Sequence, residues 1–589
     1  GTPHHLLRTA DRAAAAIVSE ITSFRAHHAT PTTLVYLAAL DLSAGVAAND
    51  TQAATAQLLV DELPVAVMRA AAADGAPMRL WMVTCGAQSV HAGDDVSSPE
   101  QAPLWGWSRG FALEQPSSHG GCLDLDPGMT VQAQATALAG VLRDSTDEDQ
   151  VAVRAGTKYV ARLTRATAPP ATAVTLRADG AYLITGGTGG VGLRVAQWLA
   201  EHGARELVLL SRSGLPDDAR DQRIAALDAV RATGCAVHLV QADVSDATAM
   251  ASVVSRFGTA WKPLRGVVHA AVHMSAAPIP HLSDSDRTSM RAGKVHAARH
   301  LHGLTRDLPL DFFVLFSSTT SLLGVHGMAH YAAANQYLDA LAHHRRAAGQ
   351  TALAIAWGTW DVMRVASAED QAAIARGGMR QLPSAVALDL MGRLLATDAA
   401  AAVVADIDWR TLVPLYEARR QRPLIHALNS ASSPGARLTP PRELPAGVEQ
   451  TDIDRLRAAA VAQRPMLLEA LVRHEVAAVL GYANDDGIPV ARGFFELGLD
   501  SLMSVELKRR LETAVGQSLP STLTFNYPNV LALSGFLGEL LFAAPTVDTV
   551  PSLAPAVVIS TAPAQSTEDL TDDELEAELL ARLQKLRLQ

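Results

Sequence analysis

Short apolar runs recur along most of the chain and predict strands: Leu34-Val-Tyr-Leu37, Arg79-Leu-Trp-Met-Val83, Val151-Ala-Val-Arg154, Tyr182-Leu-Ile184, Glu206-Leu-Val-Leu-Leu210 and Phe312-Phe-Val-Leu-Phe316. Between them apolar residues fall at helical spacing, as with Val191, Val195 and Leu199 on one face. Near-continuous apolar strands alternating with helices predict an α/β fold with parallel sheets. A break rich in Pro, Ala and Thr at Thr164–Ala173 splits this region into two α/β halves, 1–165 and 174–427. The pattern then changes. Stretches rich in Pro, Ala, Ser and Thr at 428–450 and 544–567 suit linkers. They enclose 451–543, where Leu468, Val472, Val476 and Leu480 form a helical stripe and a second helix runs from Ser501 to about Val515. In the last piece, 568–589, Thr571-Asp-Asp-Glu574 has capping-box order before a Leu575, Leu579, Leu583 and Leu586 stripe. A helix that short suits either a docking or dimerisation element or a solvated end.

Composition narrows the function. A length of 589 residues calls for three or four domains. A formal charge of -11 without a dense Lys/Arg block argues against nucleic acid as a partner. Cys85, Cys122 and Cys235 lie far apart without metal-ligand spacing, which suits a reducing cytoplasm and argues against a metal. No apolar run has the length of a membrane span, and the first residues have neither a signal peptide's basic start nor its apolar core. The start at Gly1 instead of Met suggests a piece of something longer.

The candidate chemistry begins where Tyr182-Leu-Ile184 enters Thr185-Gly186-Gly187-Thr188-Gly189-Gly190-Val191-Gly192 ahead of a helix. Glycines there permit a tight turn and let amides and the positive helix terminus approach a pyrophosphate. The next strand ends at Ser211-Arg212, where an NAD enzyme usually places a carboxylate. A guanidinium suits a 2′-phosphate, so the expected cofactor is NADPH. No glycine fingerprint follows the strands of the first half, which should bind no nucleotide.

Tyr331-Ala-Ala-Ala-Asn335 carries asparagine where a generic short-chain reductase has lysine, four residues after its tyrosine. A tyrosine acting as an acid needs a cation nearby. Lys294 lies twenty-four residues before Ser318, which in turn precedes Tyr331 by thirteen. The tetrad Lys294, Ser318, Tyr331 and Asn335 resembles the ketoreductases of modular polyketide synthases and of animal-type fatty acid synthases. The resemblance covers nearly all of 30–425. It implies two Rossmann-like subdomains, the first a structural half marked by Leu104-Trp-Gly-Trp-Ser-Arg-Gly110 and Tyr159-Val-Ala-Arg-Leu163. It also implies an adenine contact at Asp243-Val244 and a nicotinamide-ribose loop at His269-Ala270-Ala271. Because the halves join directly, no enoyl reductase intervenes and reduction should stop at the alcohol. Ala352-Leu-Ala-Ile-Ala-Trp357-Gly-Thr-Trp360 predicts a strand whose two tryptophans either flank a ligand or pack in a core. About Arg364 to Leu382 reads as a lid.

The stereochemical markers of the family are missing. Met274-Ser275-Ala276 stands where one class has Leu-Asp-Asp, Leu323 where the other has tryptophan, and Val272 replaces the usual glycine. The product configuration stays open.

In the helical domain, Gly498-Leu-Asp-Ser501-Leu502, followed by Phe525-Asn-Tyr-Pro528, resembles acyl and peptidyl carrier proteins. The resemblance implies a small four-helix carrier with 4′-phosphopantetheine on Ser501, attached by a phosphopantetheinyl transferase. A β-ketoacyl thioester is then the substrate, with an upstream ketosynthase and acyltransferase and a downstream module as partners, and a homodimer formed by the wider synthase. A fatty acid synthase fragment shares these features. A scaffold with a silent or epimerising reductase is the reading from another class, and the complete tetrad disfavours it.

Overall fold

In a computed structural model, which describes residues 5–8, 14–27, 32–73, 78–91, 93–144, 146–171, 174–214, 222–363, 374–375, 377–418, 420–430, 460, 463–480, 488–494, 497, 499, 501–517, 519, 523–542 and 556–560, the apolar runs become strands of two seven-stranded sheets. The first half supplies β1 (His5–Arg8), β2 (Thr32–Tyr36), β3 (Met78–Cys85), β4 (His119–Leu125), β5 (Gln150–Arg154) and β6 (Thr157–Val160). The second supplies β7 (Ala181–Thr185), β8 (Glu206–Ser211), β9 (Ala236–Gln241), β10 (Leu264–His269), β11 (Phe312–Ser318), β12 (Leu353–Trp357), β13 (Met379–Arg380), β14 (Ala401–Val404) and β15 (Asp406–Ile407). A last strand, β16 (Ala556–Ser560), falls within the stretch read as a linker. Its run of β-branched residues suits a strand, and it pairs in parallel with β1 on one side and β2 on the other.

The first sheet runs β1-β16-β2-β3-β4-β5-β6 and is parallel except for the closing β5–β6 pair. The second runs β14-β12-β11-β10-β7-β8-β9 and is parallel throughout. Its order reverses beside β7, and the crevice between β7 and β10 is where open α/β sheets collect ligands. All residues of β7 and β11 are buried, as their uninterrupted apolar character requires.

Helices α1 (Pro103–Glu114) and α3 (Ala329–Ala347) pack on each other and tie the halves together, while α2 (Gly190–Glu201) packs on the second sheet. The two halves share one core, in which Leu104, Trp105, Trp107 and Phe111 of the first meet Ile279, Leu282, Ala329 and Ala333 of the second. Close approach depends on glycine. A Cβ on Gly106 would lie 2.4 Å from the Ala332 carbonyl, and one on Gly110 2.4 Å from the Ala329 methyl. The buried Arg299 guanidinium adds a two-pronged bond across the junction, 3.0 and 2.8 Å, to the Glu100 carboxylate.

The carrier region forms α4 (Arg464–Leu480), α5 (Ser501–Val515), a single turn at Leu523–Asn526 and α6 (Val530–Phe542). Its core joins Leu468, Val472 and Val476 to Leu507, Leu511, Val515, Leu533 and Leu537. The 568–589 helix, most of the 428–450 linker and residues 364–373 of the expected lid lie outside the described residues. Among the described residues no helix is long and apolar enough to cross a membrane.

Candidate active site

The glycine-rich turn sits at the carboxyl end of β7, and its glycines have separate reasons to be there. Gly186 adopts φ +72, where a side chain is strained, and its Cβ would lie 2.9 Å from the backbone of Ala270 and Ala271. A Cβ on Gly192 would lie 2.3 Å from the Gly186 carbonyl. Gly189 caps α2 without a side-chain bond, which leaves the helix's positive end to an anion. Thr188 Oγ1 donates to the Gly214 carbonyl (3.2 Å) and ties the turn to the segment after β8. The cradle fits a dinucleotide pyrophosphate.

The other predicted cofactor residues gather along the same edge. Ser211 ends β8 and Arg212 follows it, exposed. Asp243 accepts from Ser245 N (2.8 Å) and Oγ (2.7 Å), which holds its carboxyl below the usual range, and Val244 beside it is buried. His269 closes β10, with Nδ1 2.7 Å from Thr185 Oγ1. Burial and the Lys294 charge push its imidazole down to about 3, so it is neutral.

The four catalytic candidates converge from three elements. Ser318 is the last residue of β11, and its Oγ accepts from Thr320 N (3.2 Å). Tyr331 and Asn335 lie one turn apart on α3, with Asn335 Nδ2 donating to the Tyr331 carbonyl (2.8 Å). Lys294 comes from a π-helical turn, Ala292–His296, inserted between helices Asp284–Arg291 and Ala297–Thr305. Its Nζ donates to the Phe316 carbonyl (2.5 Å) and lies 5.7 Å from the Tyr331 ring centre. Burial raises the Tyr331 hydroxyl, and hydrogen bonds with the Ser318 and Asn335 side chains oppose it. Burial pushes the Lys294 ammonium down to about 7, against the pull of Asp339. Asn335 Oδ1 is buried without a protein partner, an acceptor suited to a proton-relay water.

The motifs missed Asp339, whose Oδ2 accepts from Ser321 Oγ (2.6 Å) and whose carboxyl burial raises to about 6. Its signal was present, since Tyr331, Asn335 and Asp339 are four residues apart and share one face of α3. Arg109, noted only as part of a motif, donates across the junction to the Ser321 carbonyl and to Gln336 Oε1. Trp357 and Trp360 resolve in favour of packing: both are buried, and their rings lie 4.9 Å apart and 5.4 and 5.9 Å from Phe316. Leu323, at the tryptophan marker's position, is buried with Val413, Leu424 and Ile425. Val272 and Met274, in the altered loop after Ala271, are exposed.

Ser501 is the first residue of α5, while Gly498 and Asp500 of its motif lie outside the described residues.

Three family descriptions match. "KR domain" covers residues 180–362, "Polyketide synthase extender module SpnB, Rossmann fold domain" covers 3–163, and "Phosphopantetheine attachment site" covers 470–537. Among curated proteins, the chain is 39% identical over 81% of its length to polyketide synthase GfsA of Streptomyces halstedii. It is 37% identical over 82% of its length to pikromycin polyketide synthase component PikAIII of Streptomyces venezuelae. The chain spans only 6% and 31% of those two relatives. Among solved structures, an A-type ketoreductase from a modular polyketide synthase is 34% identical with a TM-score of 0.65, covering 72% of this chain and 88% of that one. Ketoreductase domains of this kind use NADPH, and phosphopantetheine attachment sites carry 4′-phosphopantetheine.

Proposed function

Because the chain belongs to the ketoreductase and carrier portion of modular polyketide synthases, we propose that it reduces a β-ketoacyl thioester, borne on its own carrier domain, to the β-hydroxyacyl thioester with NADPH. The observation that carries this reading is the convergence of Ser318, Tyr331, Lys294 and Asn335 in the same half as the glycine-rich strand-to-helix turn.

Bound NADPH supplies the hydride for the carbonyl carbon. Ser318 Oγ and the Tyr331 hydroxyl bind the ketone oxygen and polarise the carbonyl. As negative charge develops on that oxygen, the Tyr331 hydroxyl gives up its proton to it. The Lys294 ammonium favours the tyrosinate left behind and reaches toward the nicotinamide ribose. Asn335 supports the water that returns a proton to Tyr331. Donors fixed where charge develops act at their strongest in such a buried site. Gly186, Gly187, Gly189, Gly190 and Gly192 admit the pyrophosphate, with Thr185, Thr188 and Val191 shaping the same turn. Arg212 would hold the 2′-phosphate, Asp243 and Val244 would contact the adenine, and His269, Ala270 and Ala271 would serve the nicotinamide ribose. The exposed position of Arg212 and the helix terminus at Gly189 support these assignments.

Ser501 bears the phosphopantetheine, added by a separate transferase, and its thioester reaches Tyr331 within one polypeptide, so effective concentration replaces tight binding. The working units are 1–165, 174–427 and 451–543, acting in the cytoplasm within a larger synthase. The test is loss of NADPH absorbance with a simple β-keto thioester. Tyr331→Phe should cut turnover on the order of 10²-fold or more while NADPH still binds, and undiminished turnover would defeat the assignment. Intact mass after treatment with coenzyme A and a promiscuous phosphopantetheinyl transferase should rise by one arm, and Ser501→Ala should lose that gain.

A further inference from the structure

Gly106, Gly110 and Glu114 are four residues apart on α1 and therefore share a face. The two glycines let that face approach the start of α3 more closely than any Cβ would allow. Glu114, at the end of the stripe, is thereby carried into the second half, where it is buried. Each of its oxygens accepts a backbone N–H from a different loop. Oε2 accepts from Ile279 N (2.6 Å) and Oε1 from Gly327 N (3.0 Å). The loops also bond to each other, Ala277 N donating to the Gly327 carbonyl (2.8 Å).

These loops frame the reacting groups. One follows His269-Ala270-Ala271 at the end of β10, and the other ends four residues before Tyr331. Each exposes large apolar side chains, Val272 and Met274 on the first and Val325 on the second. Within the second loop Gly324 and Gly327 hold φ +69 and +73, so the turn is set by backbone conformation and by its anchors. Burying a carboxylate is costly unless its charge is well bonded. Burial raises the Glu114 carboxyl, and two amides donated by segments far apart in sequence oppose that rise at this junction.

We infer that Glu114 is a positioning residue for ketone reduction, holding the two loops at the separation that decides how the acyl chain enters and which face of the ketone meets the hydride. The inference rests on the ketoreductase reading above. It assigns to the half without a nucleotide cradle a part in selectivity, through the width of the substrate slot and without contact with substrate. Glu114→Gln keeps the shape but offers one acceptor where two amides must be met. Glu114→Asp keeps both oxygens on a shorter stem.

The experiment compares wild type, Glu114→Gln and Glu114→Asp with a racemic 2-methyl-3-keto thioester, reading kcat, KM, the NADPH dissociation constant and the ratio of hydroxy diastereomers. Losing one charge-assisted bond predicts kcat/KM about tenfold lower in Glu114→Gln. The loss should fall mainly on KM, with an eroded diastereomer ratio, unchanged NADPH affinity and partial recovery in Glu114→Asp. A folded Glu114→Gln enzyme with wild-type KM and diastereomer ratio overturns the inference. Should that variant not fold, amide hydrogen exchange on the wild-type chain decides: slow exchange at Ile279 and Gly327 supports the clamp and rapid exchange at both overturns it. A wild-type chain that leaves NADPH unoxidised defeats the reductase reading itself, a failure distinct from a loss confined to KM and selectivity.

Discussion

The two α/β halves are built from similar parts and use glycine for opposite ends. In the second half the glycines stand at a strand-to-helix turn, where the missing side chains let the turn close on its own backbone at Gly186 and Gly192, and Gly189 leaves a helix end uncapped. In the first half Gly106 and Gly110 stand in mid-helix, where a missing side chain makes room for another helix. Glycine within a helix costs roughly 1 kcal/mol against alanine, so its presence in α1 reports a packing demand. The position of a glycine within its element, more than its frequency, separates the half that binds a nucleotide from the half that braces it.

That contrast can be broken by substitution. Gly192→Val should weaken NADPH binding on the order of 10²-fold by forcing the turn apart at Gly186, as a fluorescence titration would measure; unaltered binding would remove the distinction. Gly106→Ala should instead act on stability. Overpacking against the Ala332 backbone costs about 1–3 kcal/mol, which lowers the melting temperature by about 5 °C, while the folded fraction binds NADPH with wild-type affinity.

Buried titratable groups differ between the halves as well. In the first, burial pushes the Cys122 thiol up to about 12 and holds His119 neutral, so neither changes charge near neutrality. In the second, burial brings Lys294 down to about 7. In the proposed mechanism, below that value it is an ammonium that would help Tyr331 donate its proton, and above it a neutral amine that would not. The value of kcat/KM should therefore fall about tenfold between pH 6 and pH 8, and Lys294→Met should be slow at both ends. The smallest expected effect is at the exposed Arg212. Its replacement by alanine should weaken NADPH about fivefold and leave NADH untouched, since a solvated ion pair contributes little.

What could be read from the sequence was local. The glycine-rich turn, the proposed tetrad and the carrier motif around Ser501 stand out as patterns of residue type at short, regular spacing, and the strands because burial on both sides demands unbroken apolar runs. The contacts between halves had no such signature. Glu114 and Gly327 are 213 residues apart, and Arg109 and Gln336 are 227. Only the fold brings them together. Asp339 lay between these cases, visible in the four-residue spacing on α3 once that face was known to matter. Trp357 and Trp360 show a different limit, since an aromatic ring after a strand has the same sequence pattern whether it meets a ligand or a core. The pairing of β16 with β1 and β2 was hidden by a composition that also suits a linker.

The π-helical turn at Ala292–His296 bears on how this part of the chain tolerates change in length. A π turn holds one more residue than the α-helical turn it replaces, and such turns are frequent at functional sites. Removing one residue from it would restore a regular helical turn and leave the flanking helices close to their present phase, because the π turn already absorbs the extra residue. Helix Asp284–Arg291 carries Arg287, which pairs with Asp61 of the first half, and helix Ala297–Thr305 carries Arg299, which pairs with Glu100. A deletion there would leave both pairings near register and remove the bulge that presents Lys294. The cost of losing that residue should therefore fall on the placement of Lys294, with the junction between the halves left in place.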